Sequence, residues 1–140
     1  MTIKIITIGK FSLKPVQALF EEYLGRIRRY FSIEHGNVKS PEAYLAKRRP
    51  GDFLVLLDER GKNFDSVAFA KWLEDKTVHS VKNLVFLVGP AGGFSEQERH
   101  QADFLLNLSP MTLQHELALV VLAEQIYRAC TILKGEPYHK

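Results

Sequence analysis

Leu84-Val85-Phe86-Leu87-Val88 sets five apolar residues in a row, breaks into Gly89-Pro90-Ala91-Gly92-Gly93-Phe94, and restarts at Ser95-Glu96-Gln97-Glu98. A strand with one wet face alternates apolar and polar side chains, because successive residues point to opposite faces. A run without alternation is buried on both faces, which requires a covering layer on each side of the sheet and is the usual state of a parallel strand. Ser95 with Glu98 three residues later is a capping box, so a helix starts there. The segment therefore reads as strand, tight loop, helix, and its glycines allow close approach of the backbone to a ligand or a positive φ. No Lys-Ser or Lys-Thr follows the glycines and their spacing is not Gly-x-Gly-x-x-Gly, so a ligand other than a phosphate chain is expected in this loop.

The rest of the chain supplies the covering layers. Thr2 to Ile8 is β-branched and partly alternating, a first strand closed by Gly9. Val16, Leu19, Phe20, Tyr23, Leu24 and Ile27 recur on one helical face, with Pro15 in the first turn. Phe31 to Val38 is a weaker strand, and Ser40-Pro41 opens a short helix predicted to continue through Lys47-Arg48-Arg49. After the Pro50-Gly51 turn, Phe53 to Leu57 is a buried strand ending at Asp58; Asp65 to Lys76 is helical, and a short strand lies near Leu105 to Leu108. Strands alternating with helices indicate an α/β fold, a mainly parallel sheet flanked by helices. No linker, repeat or low-complexity tract divides residues 1–140, which are read as one domain.

The last helix, predicted from His115 to about Leu133 and stopped by Gly135, carries apolar residues around most of its circumference. Such a helix must be covered on more than one side. One side against the sheet and another against a second subunit is the economical arrangement, so a homodimer through this helix is expected; cover from neighbouring elements of the same chain is the alternative.

Composition narrows the function classes. Hydrophobic residues make up 46% of the chain and charged residues 25%, the proportions of an ordered globular protein. No run reaches the roughly 18 apolar residues of a membrane span, and the start lacks the layout of a signal peptide, so a cytoplasmic location is expected. The single Cys130 and the scattered His35, His79, His100, His115 and His139 have no metal-ligand spacing, and no metal is expected. The net charge of +3 is mild, but Arg26, Arg28, Arg29, Lys47, Arg48 and Arg49 lie in the N-terminal half. They suit a polyanionic partner or, equally, the solvated faces of surface helices.

Three candidate loops follow buried strands: Leu57 to Lys62, Gly89 to Phe94, and Leu108 to Gln114. Loops at the carboxyl ends of parallel strands converge, and ligands bind there. A dinucleotide fold would carry its glycine turn after the first strand, where this chain has only Gly9-Lys10-Phe11. Backbone donors and acceptors beside Leu57, Leu108, Met111 and Leu113 fit a small, flat, uncharged ring such as adenine, although apolar residues flanking strands also serve simply as core. The tail Glu136-Pro137-Tyr138-His139-Lys140 would by itself be read as idle.

At this point the chain resembles a known family. Gly89-Pro90-Ala91-Gly92-Gly93-Phe94-Ser95, then Leu108-Ser109-Pro110-Met111-Thr112-Leu113-Gln114-His115, then Leu122-Ala123-Glu124-Gln125-Ile126-Tyr127-Arg128-Ala129 and the terminal Pro137-Tyr138-His139-Lys140 are similar to the ribosomal RNA large subunit methyltransferase H family. That family belongs to the SPOUT class of S-adenosylmethionine enzymes. Ile8-Gly9-Lys10, Glu22-Tyr23 and Leu57 to Lys62 extend the resemblance over nearly the whole chain. It implies a C-terminal trefoil knot, a homodimer and S-adenosyl-L-methionine as methyl donor. The implied reaction is N3 methylation of a pseudouridine in 23S (large-subunit) rRNA on the assembled ribosome.

Carried over residue by residue, the resemblance implies that Leu57, Gly89, Leu108, Ser109, Pro110, Met111, Thr112 and Leu113 line the cofactor pocket. It puts Arg128, Tyr138 and His139 near the reacting base, the tail of one subunit reaching toward its partner's cofactor. His139 is then the first group to consider as base, with Tyr138 stacking on the base and Arg128 binding carbonyl oxygen or phosphate. An ordinary i, i+4 pair with Glu124 is the simpler role for Arg128. Pro90 stands where family members often have a second glycine, Gln114 where they often have proline, and the segment 38–50 is short. The glycine loop is also similar to that of small-subunit rRNA uridine N3-methyltransferases, which carry a separate N-terminal RNA-binding domain. A ribosome-associated binding module without catalysis is the alternative outside enzymes.

Overall fold

The computed structural model describes residues 1–90 and 92–140; Ala91 of the glycine-rich turn lies outside the described residues. Among the described residues, five strands and five helices alternate. They are β1 (Thr2–Ile8), α1 (Lys14–Ile27), β2 (Ser32–Val38), α2 (Pro41–Ala46), β3 (Asp52–Asn63), α3 (Ser66–Val78), β4 (Asn83–Val88), α4 (Glu96–His100), β5 (Phe104–Asn107) and α5 (His115–Leu133). The strands form one sheet in the order β2-β1-β4-β3-β5, and every pairing is parallel. The expected α/β architecture is present, and the sheet is wholly rather than mainly parallel.

β4 lies at the centre, as its unbroken apolar run requires. Leu84, Phe86 and Val88 join the core under α1, α3 and α5, while Val85 and Leu87 join a second core with Tyr44 of α2 and Phe94. The period-2 alternation of the strand thus feeds two layers, and all five side chains are buried. The chain runs from β3 to β4 through α3 and then returns past β3 to β5 through α4. That reversal gathers the carboxyl ends of β3, β4 and β5 on one edge, where open parallel sheets bind ligands.

β3 departs from the sequence reading. The predicted loop from Leu57 to Lys62 lies within a twelve-residue strand. Leu106 of β5 is the partner of both Leu57 and Lys62, so residues 58–61 form an irregularity after which pairing resumes through Asn63 and Asn107. Gly61 permits this, because a Cβ there would stand 2.5 Å from the carbonyl carbon of Leu105. α2 is also shorter than predicted. It ends at Ala46, since the residue before Pro50 is driven out of helical conformation and Arg48 turns away to bond Asp103 at 2.6 Å and the Gln101 carbonyl. Arg48 is therefore a structural tie rather than part of a free basic run.

α5 has the predicted bounds and packs between α1 and α3. Leu119, Val120, Leu122, Ala123, Ile126, Tyr127, Ala129 and Cys130 are all buried within the chain itself. Neighbouring elements of the same chain therefore cover most of its circumference. The uncovered stripe holds Leu117, 47% exposed, and the half-buried Val121, Glu124, Gln125 and Arg128.

Candidate functional site

The edge formed by the ends of β3, β4 and β5 encloses a cavity of about 410 Å³, within the size range of small-molecule sites. Leu57, Gly89, Leu108, Ser109, Pro110, Met111, Thr112 and Leu113 all line it, so the whole set of residues inferred from the resemblance as cofactor contacts faces one space. Val88, Phe94 and Leu106, each buried, make its apolar base. Adenine-sized aromatic rings suit such a base, and the exposed loop atoms above it offer backbone hydrogen bonds.

Two glycines shape the first wall. A Cβ on Gly89 would come within 2.6 Å of the Phe94 ring, so the absence of a side chain lets that ring fold back and seal the second core. Gly93 takes φ of +78° and donates its N–H to the Pro90 carbonyl at 2.9 Å, closing the turn. At Ser95 both halves of the expected capping box are formed: Ser95 Oγ accepts from the Glu98 N–H, and the Glu98 carboxylate accepts from the Ser95 N–H.

The opposite wall runs from Leu108 into α5. Ser109 N–H donates to the Asn107 side chain, and Met111 N–H to Ser109 Oγ, so the exposed loop is held by its own polar side chains. Gln114 caps α5 by accepting from the N–H groups of Glu116 and Leu117, both at 2.9 Å. Its φ of −60° lies within the range proline imposes, so glutamine keeps a backbone shape that the family's proline shares and adds a cap.

Two buried carboxylates at this edge were not singled out from sequence. Asp58, where the regular pairing of β3 with β5 breaks, has its side chain only 2% exposed and accepts from Arg99 Nε at 2.8 Å and from the Arg60 N–H at 2.8 Å. Hydrogen bonding to Asp58 is the main reason the Arg99 guanidinium is held above its ordinary range. Glu116, equally buried, accepts from Ser12 Oγ at 2.6 Å and from the N–H groups of Ser12 and Leu13 at 3.0 Å. Those bonds, led by Ser12 Oγ, lower its carboxyl below the usual range and pin the β1–α1 loop to the start of α5. A charged residue ending an apolar run, and a glutamate on the buried face of an amphipathic helix, were the available signals.

Arg128, Tyr138 and His139 are brought together, but away from the cavity. Arg128 bonds Glu124 through Nε at 3.0 Å and Nη2 at 2.8 Å, so the predicted i, i+4 pair is formed. Its Nη1 lies 3.0 Å from His139 Nδ1; a guanidinium only donates, so Nδ1 accepts and the ring proton sits on Nε2. Tyr138 donates to Glu124 at 3.1 Å, packs edge-on against Tyr127 and lies under the Arg128 guanidinium at 4.9 Å. Burial, then the bonds to Tyr23 and Glu124, push the Tyr138 hydroxyl upward, so it stays protonated. His115 and Ala118 are the α5 residues on the cavity, and from Ala118 to Arg128 the helix advances about 15 Å at 1.5 Å per residue.

Comparison with known proteins decides the relationship. The family model described as "Predicted SPOUT methyltransferase" matches residues 1–139. The chain belongs to the SPOUT methyltransferase family. Proteins named ribosomal RNA large subunit methyltransferase H are its close relatives. That of Koribacter versatilis (strain Ellin345) is 43% identical, covering 99% of this chain and 98% of the relative. That of Christiangramia forsetii (strain DSM 17595 / CGMCC 1.15422 / KT0803) is 37% identical, covering 99% of each. A probable methylase family protein from Haemophilus influenzae Rd KW20 has the same fold, with TM-score 0.60 and 12% identity over 99% of this chain and 70% of that one.

Among the described residues of this SPOUT protein, no group of three or more His, Cys, Asp or Glu side chains could hold a metal ion, and no helix is long and apolar enough to cross a membrane.

Proposed function

We propose that this SPOUT protein is an S-adenosylmethionine-dependent methyltransferase of large-subunit rRNA, acting on N3 of a pseudouridine in the assembled ribosome. The relatives named above support the rRNA assignment. The observation that carries the cofactor reading is the cavity itself: its loops present backbone groups over an apolar base, and its one lysine or arginine among the described residues, Arg99, is already engaged by the buried Asp58. This matches a neutral adenosine with no phosphate chain. Leu57, Leu108 and Leu113 would hold the adenine, with Gly89, Ser109, Pro110, Met111 and Thr112 around the remainder. The chain acts as one domain over residues 1–140, in the cytoplasm, with its late loops tied in the trefoil knot that the resemblance implies.

The separation of about 15 Å along α5 between Ala118 on the cavity and Arg128 supports a homodimer. If two α5 helices meet antiparallel through the stripe of Leu117 and Val121, the Arg128-Tyr138-His139 cluster of one subunit approaches the partner's cavity. S-adenosylmethionine supplies, when bound, an activated methyl group whose C–S bond breaks as the bond to the base nitrogen forms. The remaining tasks are alignment and removal of the N3 proton. His139 takes that proton at Nδ1 once Arg128 lets go of it, and Arg128 then faces the charge developing on the base carbonyls. Tyr138 is the aromatic group of the cluster that would stack on the base.

Subunit complementation tests this arrangement. A Tyr138→Ala/His139→Ala variant and a variant blocked at the cavity by Gly89→Val should each be inactive, and mixed dimers should regain activity because one composite site is intact. Activity in the tail variant alone would remove those residues from the chemistry. Inactive mixed dimers, with exchange of subunits verified, would mean that each site lies within one chain.

A further inference from the structure

The cavity has a charged end that adenine does not explain. Arg99 of α4 is the only lysine or arginine lining it among the described residues, and Asp58 and Glu59 line it beside Arg99. The guanidinium is fixed: Nε bonds the buried Asp58 at 2.8 Å and Nη1 bonds Glu96 at 3.3 Å. Its side chain is 16% exposed, and Nη2 has no hydrogen-bond partner among the described residues. Arg99 itself lines the cavity, and Nη2 is the guanidinium nitrogen left to bond a ligand there. An exposed carboxylate, Glu59, sits beside the buried pair. One fixed cation beside one solvated anion is the complement of a zwitterion, the α-carboxylate and α-ammonium of an amino acid.

We propose that Arg99 anchors the α-carboxylate of the cofactor's amino-acid end through Nη2, with Asp58 as its positioning residue and Glu59 facing the α-ammonium. This rests on the reading of the cavity as an S-adenosylmethionine site and adds to it an element that reads the amino-acid portion. Asp58 acts only through Arg99. Both its oxygens are engaged, one by Nε of Arg99 and one by the Arg60 N–H, so it sets the direction of the guanidinium rather than touching the ligand.

Calorimetric titration with two ligands separates a reading role from a structural one. S-adenosylhomocysteine carries the amino-acid end, and 5′-methylthioadenosine lacks it. Arg99→Gln should lower affinity for S-adenosylhomocysteine by about 10- to 100-fold, the worth of a charged hydrogen bond, and leave that for 5′-methylthioadenosine within about threefold. Because Arg99→Gln leaves the buried Asp58 without its partner, the Asp58→Asn/Arg99→Gln double variant, which removes both charges, is titrated in parallel and should show the same selective loss. Equal losses for both ligands in the double variant, or no loss for either, would overturn the assignment of Arg99. Wild-type protein that binds neither ligand would instead overturn the cofactor reading on which it rests.

Discussion

Replacement of Gly61 by alanine probes the pairing of β3 with β5 most sharply. The new Cβ would lie 2.5 Å from the Leu105 carbonyl carbon and 2.6 Å from both the Leu105 oxygen and the Leu106 nitrogen, where ordinary contact begins at 3.4 Å. These are backbone atoms of a paired strand, so no rotamer change relieves the overlap and the strands must separate by about 1 Å. That movement disrupts the resumed pairing at Lys62 and Asn63 and the bond from Asn63 Nδ2 to the Asn107 carbonyl at 3.1 Å. Two or three hydrogen bonds at about 1 kcal/mol net each amount to a loss of about 2–3 kcal/mol. Gly92→Ala is the control, because a Cβ there has nothing within 4 Å. Its effect should fall between zero and about 1 kcal/mol of stabilisation, through the unfolded state. Urea titration followed by fluorescence of Trp72, whose ring lies 5.1 Å from that of Phe104 in β5, reads both variants. With a slope of about 1–3 kcal/mol per molar, the Gly61→Ala midpoint should fall by about 1–2 M at fixed protein concentration. A Gly61→Ala midpoint that coincides with that of Gly92→Ala would refute the steric reasoning.

Other outcomes follow from single contacts. Gln114→Ala removes the α5 cap and should destabilise by about 1 kcal/mol, whereas Gln114→Pro, which suits the φ of −60° and stiffens the unfolded chain, should stay within about 1 kcal/mol of wild type; paired urea titrations compare them. Glu116 has its carboxyl lowered below the ordinary 4.5 by Ser12 and Leu13, so its contribution is complete above that value and is lost as pH falls through the lower folded-state value. Glu116→Gln should flatten that acid limb, and an unchanged pH slope would contradict the linkage. His35 is half-buried beside Phe11 and Phe20, and burial lowers its imidazole below the ordinary 6.5, so stability should decline as pH falls below about 6.5 and His35→Gln should remove that decline. Cys130 is 2% exposed with its thiol pushed up to about 12 by burial; a disulfide reagent should label it slowly in native buffer and rapidly in urea.

Much of this fold could be read locally. The β4 run, the Ser95-Glu98 box and the bounds of α5 each depend on residues within a few positions, so pattern and capping chemistry identified them. The extension of β3 could not be read that way. Asp58 to Asn63 is charged and carries a glycine, and it becomes strand only because β5, more than forty residues later, pairs with it. The same holds for the ties from Asp58 to Arg99 and from Ser12 to Glu116. The apolar circumference of α5 misled in one respect. It marked a helix covered on several sides, but α1 and α3 supply most of that cover, and only the Leu117 and Val121 stripe is left for a partner. Motif resemblance grouped the residues that line the cavity, and it grouped Arg128 with Tyr138 and His139, but the distance between the two groups along α5 was not legible.

The most direct test of the proposed chemistry offers S-adenosylmethionine with an isotopically labelled methyl group to whole ribosomes, separated subunits and naked rRNA, and locates the label by mass spectrometry. The expected result is one labelled methyl on N3 of a pseudouridine in large-subunit rRNA, formed on whole ribosomes. Label on small-subunit rRNA, or ribosomes of an unmethylated strain left unlabelled by folded, cofactor-binding protein, would contradict it.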